Sequence, residues 1–210
     1  MRFRLFPPGA PISKRLFDLL VSFIGLIIAS PIMAVIAVLV RIYLGKPVLF
    51  RQERPGYKGE IFTVYKFRTM KEAYDANGNP LADKYRMTSF GHFLRSTSLD
   101  ELPEFINILM GQMSLIGPRP LLIRYLPRYS PEQARRHDVL PGMTGWAQVN
   151  GRNTASWPKR FKLDVYYVDH WSFGLDLKIL WLTLGKVLRR EDINQPGAVT
   201  MTEFMGETEE

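Results

Sequence analysis

Two acids stand side by side at Asp100 and Glu101, within Ser98-Leu99-Asp100-Glu101-Leu102-Pro103, and four cations accompany them: Lys66, Arg68, Arg95 and Arg119. Adjacent carboxylates can divide labour, one attacking an electrophile while the other holds a metal or handles a proton. Ser-x-x-Glu is equally the capping-box pattern, in which Ser98 and Glu101 only close a helix N-terminus. With Ser98 as the cap, Pro103 costs a helical hydrogen bond; with Asp100 as the cap, its missing N–H is harmless. Either way the acids sit at a helix start, where phosphate groups also bind. Lys66 and Arg68 are two apart, so a strand projects both to one face, as a phosphate clamp or as a solvated edge. Arg119 lies between Pro118 and Pro120, which fix the backbone that displays its planar fork. A phosphate contact and a plain surface turn both fit it. Arg95 is a further cation without an obvious structural task.

A glycine-punctuated run, Pro141 to Asn153, holds Thr144, Trp146 and Arg152. Glycines there suit close approach of backbone to a nucleotide or sugar, and suit equally a tight loop around a core tryptophan.

The elements that must position these residues begin with an apolar run. Leu16 to Val40 carries one charge, Asp18, and is long enough to span a bilayer at about 1.5 Å per residue. Ser30-Pro31 interrupts it, leaving legs of roughly 22 Å and 14 Å, each too short to cross alone. Arg2, Arg4, Lys14 and Arg15 precede the run and Arg41, Lys46 and Arg51 follow it, so both ends favour the cytoplasmic side. A re-entrant helix that breaks at Ser30-Pro31 and returns to the same face satisfies both facts. A kinked spanning helix and a buried soluble helix are the competing readings. Pro47–Gln52 and Ile61–Met70 read as a β-hairpin across Arg54-Pro55-Gly56-Tyr57-Lys58-Gly59. Asp75–Lys84 reads as loop, Ser98–Gly111 as helix, Pro131–Leu140 as a short charged helix, and Trp171–Leu188 as an amphipathic helix at the membrane interface or on the core. The expected fold is α+β and mostly helical. A membrane anchor fills 1–45, an interface-bound catalytic domain with the hairpin 46–200, and a tail 201–210.

Composition narrows the partners. Twenty-eight Lys and Arg against 20 Asp and Glu give a net charge of +8, which favours anionic ligands. Beside a membrane insert, lipid head groups and phosphorylated substrates outrank nucleic acid. The absence of cysteine excludes disulfides and thiol chemistry, and the three scattered histidines disfavour a histidine metal site. A bound metal is then a hard cation on oxygen ligands.

The ordered set of a broken membrane segment, Arg54-Pro55-Gly56, Lys66-Phe67-Arg68-Thr69-Met70, Leu99-Asp100-Glu101-Leu102-Pro103, Gly117-Pro118-Arg119-Pro120 and Pro141-Gly142-Met143-Thr144-Gly145-Trp146 resembles the bacterial monotopic phosphoglycosyl transferases, the bacterial sugar transferase family. The resemblance runs from about Ser13 to about Arg190 and is far more specific as a series than in any one motif. It implies transfer of a sugar-1-phosphate from a UDP-sugar to polyprenol phosphate, with Mg²⁺, release of UMP and a location on the cytoplasmic face of the inner membrane. Residue by residue, it implies Asp100 as nucleophile, Glu101 with Asp100 as metal ligand, and Lys66, Arg95 and Arg119 as phosphate contacts, with Arg68 beside them. Ser30-Pro31 matches the family's helix break. An N-acetylated amino sugar such as diacetylbacillosamine is the leaning for the donor. A membrane-anchored anion-binding protein without catalysis is the rival reading.

Overall fold

The structure, a computed structural model, describes residues 3–151, 156–189 and 203–206. Its apolar run forms α1, Ile12–Tyr43, a single helical element of 32 residues, so the expected division into two legs does not appear as a break. Pro31 cannot donate to the carbonyl of Ile27, and the Ser30 hydroxyl fills that vacancy, donating to Ile27 O at 2.8 Å. The serine thus offsets the polar cost of the proline inside an apolar helix.

One face of α1 meets the rest of the chain from end to end. Near its start, Lys14 donates to Asp176 Oδ2 at 2.7 Å, and Asp18 Oδ1 accepts from Leu115 N at 3.1 Å. Arg15 donates to the carbonyls of Ile108 at 2.7 Å and Leu109 at 3.1 Å, satisfying the last carbonyls of the helix Glu104–Leu109. Midway, Gly25 abuts the Phe105 ring. Near its end, Ile36 and Val40 are buried with Phe67 and Leu94. The opposite face exposes Leu16, Leu20, Phe23, Ile28, Val35 and Val38.

β1 (Leu49–Pro55) and β2 (Ile61–Phe67) pair antiparallel from Leu49 opposite Phe67 to Pro55 opposite Ile61. The expected hairpin is present, and its second strand stops at Phe67, before Arg68. Short helices α2 (Asp83–Arg86) and α3 (Ser89–Ser96) follow, α3 capped by the Thr88 hydroxyl, which accepts from Gly91 N at 3.0 Å. The helix expected over Ser98–Gly111 is two pieces: a 3₁₀ turn, Leu99–Glu101, and α4, Glu104–Leu109. Ser98 adopts φ 56° and its side chain caps nothing, so the capping-box reading fails. Pro103 starts α4, where its missing N–H costs no hydrogen bond.

β3 (Ser114–Ile116) pairs parallel with β4 (Gly142–Thr144). Between them, Pro131–Leu140 is shorter than expected: α5 (Pro131–Ala134), held by a Ser130–Gln133 capping box, runs into a 3₁₀ turn at Arg135–His137. After α6 (Trp146–Val149) come α7 (Trp157–Asp169), which the sequence reading left unassigned, and α8 (Phe173–Arg189), the expected amphipathic helix. Both readings of α8 hold a part: Ile179 is in the main core, while Leu177, Trp181 and Leu184 are exposed. The main core gathers Phe62, Val64, Ile108, Met113, Ile116 and Tyr167 between the hairpin, α4, β3 and α7.

Candidate active site

The site forms where the end of β2, the 3₁₀ turn, α4 and the turn after β3 converge. Asn107, fully buried on α4, fixes the first junction: its Oδ1 accepts from Tyr65 N at 3.1 Å and its Nδ2 donates to Thr63 O at 2.6 Å. That registers β2 against α4 and carries Lys66 to the acids. Lys66 Nζ lies 2.6 Å from Glu101 Oε1 and 3.0 Å from Glu104 Oε1. Arg119 also donates to Glu101 Oε1, so one carboxylate oxygen is shared by two cations.

The Arg119 turn is held from two sides. The β3–β4 ladder continues into it through Gly117 N to Thr144 O at 2.9 Å and Gly142 N to Pro118 O at 3.0 Å. Gly142 is needed there because a Cβ would fall 2.0 Å from Gly117 N. Behind the turn, Arg136 donates to Arg119 O at 2.7 Å while its guanidinium is locked on Asp164 at 2.8 and 3.0 Å. On the far side, Arg95 donates to Thr69 Oγ1 at 3.2 Å and its charge acts on Asp100.

These surroundings push the acids apart. Burial, then the adjacent Glu101 charge, raises the Asp100 carboxyl to about 6. Glu101 goes the other way: burial opposes ionisation, but Arg119 and Lys66 together hold its carboxyl well below the usual range. Burial pushes Glu104 up to about 7 despite Lys66. Arg119 is shifted upward, chiefly by Glu101. Near neutral pH the cluster therefore offers an ionised, poorly hydrated Asp100 beside a Glu101 already neutralised by two cations. Among the described residues no three His, Asp or Glu side chains form a metal cage. Two adjacent carboxylates completed by substrate oxygens and water are nonetheless a normal Mg²⁺ donor set.

A bacterial sugar transferase family model matches residues 10–190, and with it every element of this cluster. The chain belongs to that family. It is 54% identical over 195 residues to the uncharacterized sugar transferase EpsL of Bacillus subtilis, covering 93% of this chain and 96% of that protein. It is 36% identical over 197 residues to the exopolysaccharide production protein ExoY of Sinorhizobium fredii, covering 86% and 87%. With a UDP-glucose:undecaprenyl-phosphate glucose-1-phosphate transferase of Klebsiella pneumoniae it shares 44% identity over 183 residues, 82% of this chain but 39% of that relative. The chain thus spans nearly all of EpsL and under half of the larger transferase.

In this bacterial sugar transferase the other expected site residues have different surroundings. Arg68 does not share the Lys66 clamp: β2 ends before it, and its Nη1 donates to Lys46 O at 2.8 Å and to Glu72 at 3.3 Å. Thr144 bonds Thr183 of α8 at 2.7 Å, and the Trp146 ring stacks on Tyr166 with Lys178 over its face at 5.3 Å. Both side chains pack against α7 and α8, and Gly142 and Gly145 beside them lie against the Gly117 backbone. Arg152 lies outside the described residues. Sequence reading missed Glu104, although it follows Glu101 by three residues, the spacing that shares a helix face. It also missed Arg54, whose guanidinium is lowered to about 10 by burial and then by Arg119. The Arg136–Asp164 brace spans α7, an element the sequence reading had not assigned, so nothing local signalled it.

Proposed function

We propose that the chain transfers a sugar-1-phosphate from a UDP-sugar to undecaprenyl or a similar polyprenol phosphate, with Asp100 as nucleophile. The observation that carries this is the division of the acids: Glu101 bound by Lys66 and Arg119, Asp100 buried beside it with its carboxyl raised. An Asp100 oxygen attacks the sugar-bearing phosphorus, an aspartyl–phosphorus bond forms, and the bond to the nucleoside phosphate breaks, releasing UMP. An oxygen of the lipid phosphate then attacks the same phosphorus, the aspartyl bond breaks, and Asp100 is regenerated as carboxylate. Burial keeps water from competing with the lipid.

The cations have a place ready for the diphosphate. Glu101 occupies the position between Lys66 and Arg119 that a phosphate oxygen would take, so donor binding exchanges one anion for another at fixed donors. Glu104 retains Lys66 during that exchange, and Arg95 adds positive charge on the Asp100 side. Asp100 and Glu101 would hold Mg²⁺, which would neutralise charge on the diphosphate.

The lipid acceptor requires a site at the bilayer, and α1 is long and apolar enough to enter one. Both ends of α1 pack on the same domain, which favours the domain and both ends on one side of the membrane. This favours a monotopic seating in the cytoplasmic leaflet, with the basic flanks at anionic head groups; a re-entrant path would further need α1 to bend at Ser30-Pro31 within the bilayer. Two relatives are named for glucose and galactose transfer, so those hexoses lead the donor panel we propose, with diacetylated amino sugars next.

The test is intact-protein mass after incubation with Mg²⁺ and a UDP-sugar panel, without lipid. A gain of one sugar-phosphate, lost on adding polyprenol phosphate and absent in Asp100→Asn, is expected. Lipid-dependent UMP release with no mass gain would replace the covalent path by direct transfer.

A further inference from the structure

The last described residues, Glu203 to Gly206, return to the domain behind Arg119. Phe204 is 4% exposed and sits in a socket of four rings: Phe161 at 4.9 Å between centroids, Trp157 at 5.6 Å, Tyr125 at 5.7 Å and Tyr129 at 5.8 Å. Its carbonyl accepts from Arg128 at 2.5 Å, and Glu203 pairs with Arg128 at 2.8 Å and Arg124 at 3.0 Å. An apolar ring is thus buried while a carboxylate and a carbonyl are read at the rim, which is the recognition of a short peptide rather than the filling of a gap.

Two paths lead from Phe204 to Arg119. Leu121, two residues beyond Arg119, is buried in the cluster that Phe204 completes with Tyr125 and Phe161. Arg136, which holds Arg119 O, lies over the Tyr129 and Phe161 rings, each at 5.9 Å. Removing Phe204 frees both rings and Leu121 together.

We infer that Glu203-Phe204 is a strap, seated in a socket that takes an acidic–aromatic peptide, which positions Arg119 for the donor phosphate. Phe204 is then a positioning residue. Its influence on the reaction rests on the proposed donor site; its seat in the socket does not.

The experiment compares the full-length chain with Phe204→Ala and Phe204→Leu, titrating UDP-sugar and reading the phosphosugar adduct without lipid. Phe204→Ala should raise the donor concentration for half-maximal labelling about three- to tenfold while leaving the maximal rate unchanged, since the coupling acts on binding. Phe204→Leu should fall between. A free peptide spanning Met201 to Gly206 should restore Phe204→Ala, and the same peptide with alanine for phenylalanine should not. An unchanged half-saturation, or a loss that the peptide leaves untouched, would overturn the strap. If wild-type enzyme labels with no UDP-sugar, the functional reading fails, and the socket is still read directly. Saturable binding of fluorescent peptide to Phe204→Ala would uphold it, and absence of binding would overturn it.

Discussion

Glu101 is the most heavily committed side chain in the site, and its commitment sets what its neighbours can do. Lys66 and Arg119 both lie on one of its oxygens, which in the proposed reaction would make it a poor nucleophile and a placeholder for phosphate. Lys66 in turn separates Glu101 from Glu104, two carboxylates that repel without it. Lys66→Met should therefore cost about 3 kcal/mol, since removing one partner strands mostly buried charge, and should cut adduct formation at least about 100-fold, the scale of losing a phosphate-stabilising charge. Adding Glu104→Leu should return most of the stability but none of the labelling. Melting temperature and labelling rate, followed across the double-mutant cycle, check this. Recovery of both together would make Lys66 a structural residue only. At this scale the sequence was legible in placement: Asp100, Glu101, Lys66, Arg95 and Arg119, singled out by residue type and motif position, all converge. Arg68 was misplaced because the two-residue periodicity of a strand was extended one residue past its end.

At the scale of elements, the hairpin, α1 and α8 were readable because each carries a local pattern or turn chemistry. The β3–β4 pair was not, because three-residue strands separated by the Arg119 turn, α5 and its 3₁₀ turn leave no periodic trace. Ser98–Gly111 misled because Ser-x-x-Glu imitates a cap, while Pro103 sets the true start of α4. Long-range pins join these short pieces, and one of them titrates. His137, in the 3₁₀ turn after α5, has Nδ1 3.0 Å from Gly56 O, so Nδ1 carries the proton and donates to the hairpin loop. Its Nε2 is buried without a partner, and burial, with Arg136 next, lowers the imidazole to about 4. Protonation is thus harder folded than unfolded, so this stabilisation is complete above about pH 6.5 and is lost as pH falls towards 4, by about 3 kcal/mol in all. Thermal melts in detergent at pH 7.5, 5.5 and 4.5 should show a steeper acid decline for wild type than for His137→Gln. Parallel declines would mean that His137 does not report the joint between hairpin and turn.

For the whole molecule, the question is how a bilayer-embedded substrate meets a charged site. The anchor and the domain are not separable bodies. Lys14 enters a buried network in which Asp176 also accepts from Tyr167 at 2.7 Å and Trp171 at 3.0 Å, tying the start of α1 to α7 and α8. The end of α1 packs on Phe67 and Leu94, beside the strand that delivers Lys66. A crossing helix cannot hold one domain at both ends, because the hydrocarbon core of about 30 Å would part them. In the proposed seating the exposed apolar faces of α1 and α8 would meet lipid, and the Ser30 bond to Ile27 would keep the proline site from presenting an unpaired carbonyl there. The absence of cysteine makes the topology directly measurable. Single variants Ser13→Cys and Lys46→Cys, on the two flanks of α1, should both react with a membrane-impermeant maleimide in inverted inner-membrane vesicles and both be protected in intact spheroplasts. Labelling of one flank from each side would show a spanning helix, and the shared docking of both ends on one domain would then have to be given up. If both flanks label only from the cytoplasmic side, packing alone would hold Asp100 at the membrane surface, and the lipid phosphate would reach it without leaving its leaflet.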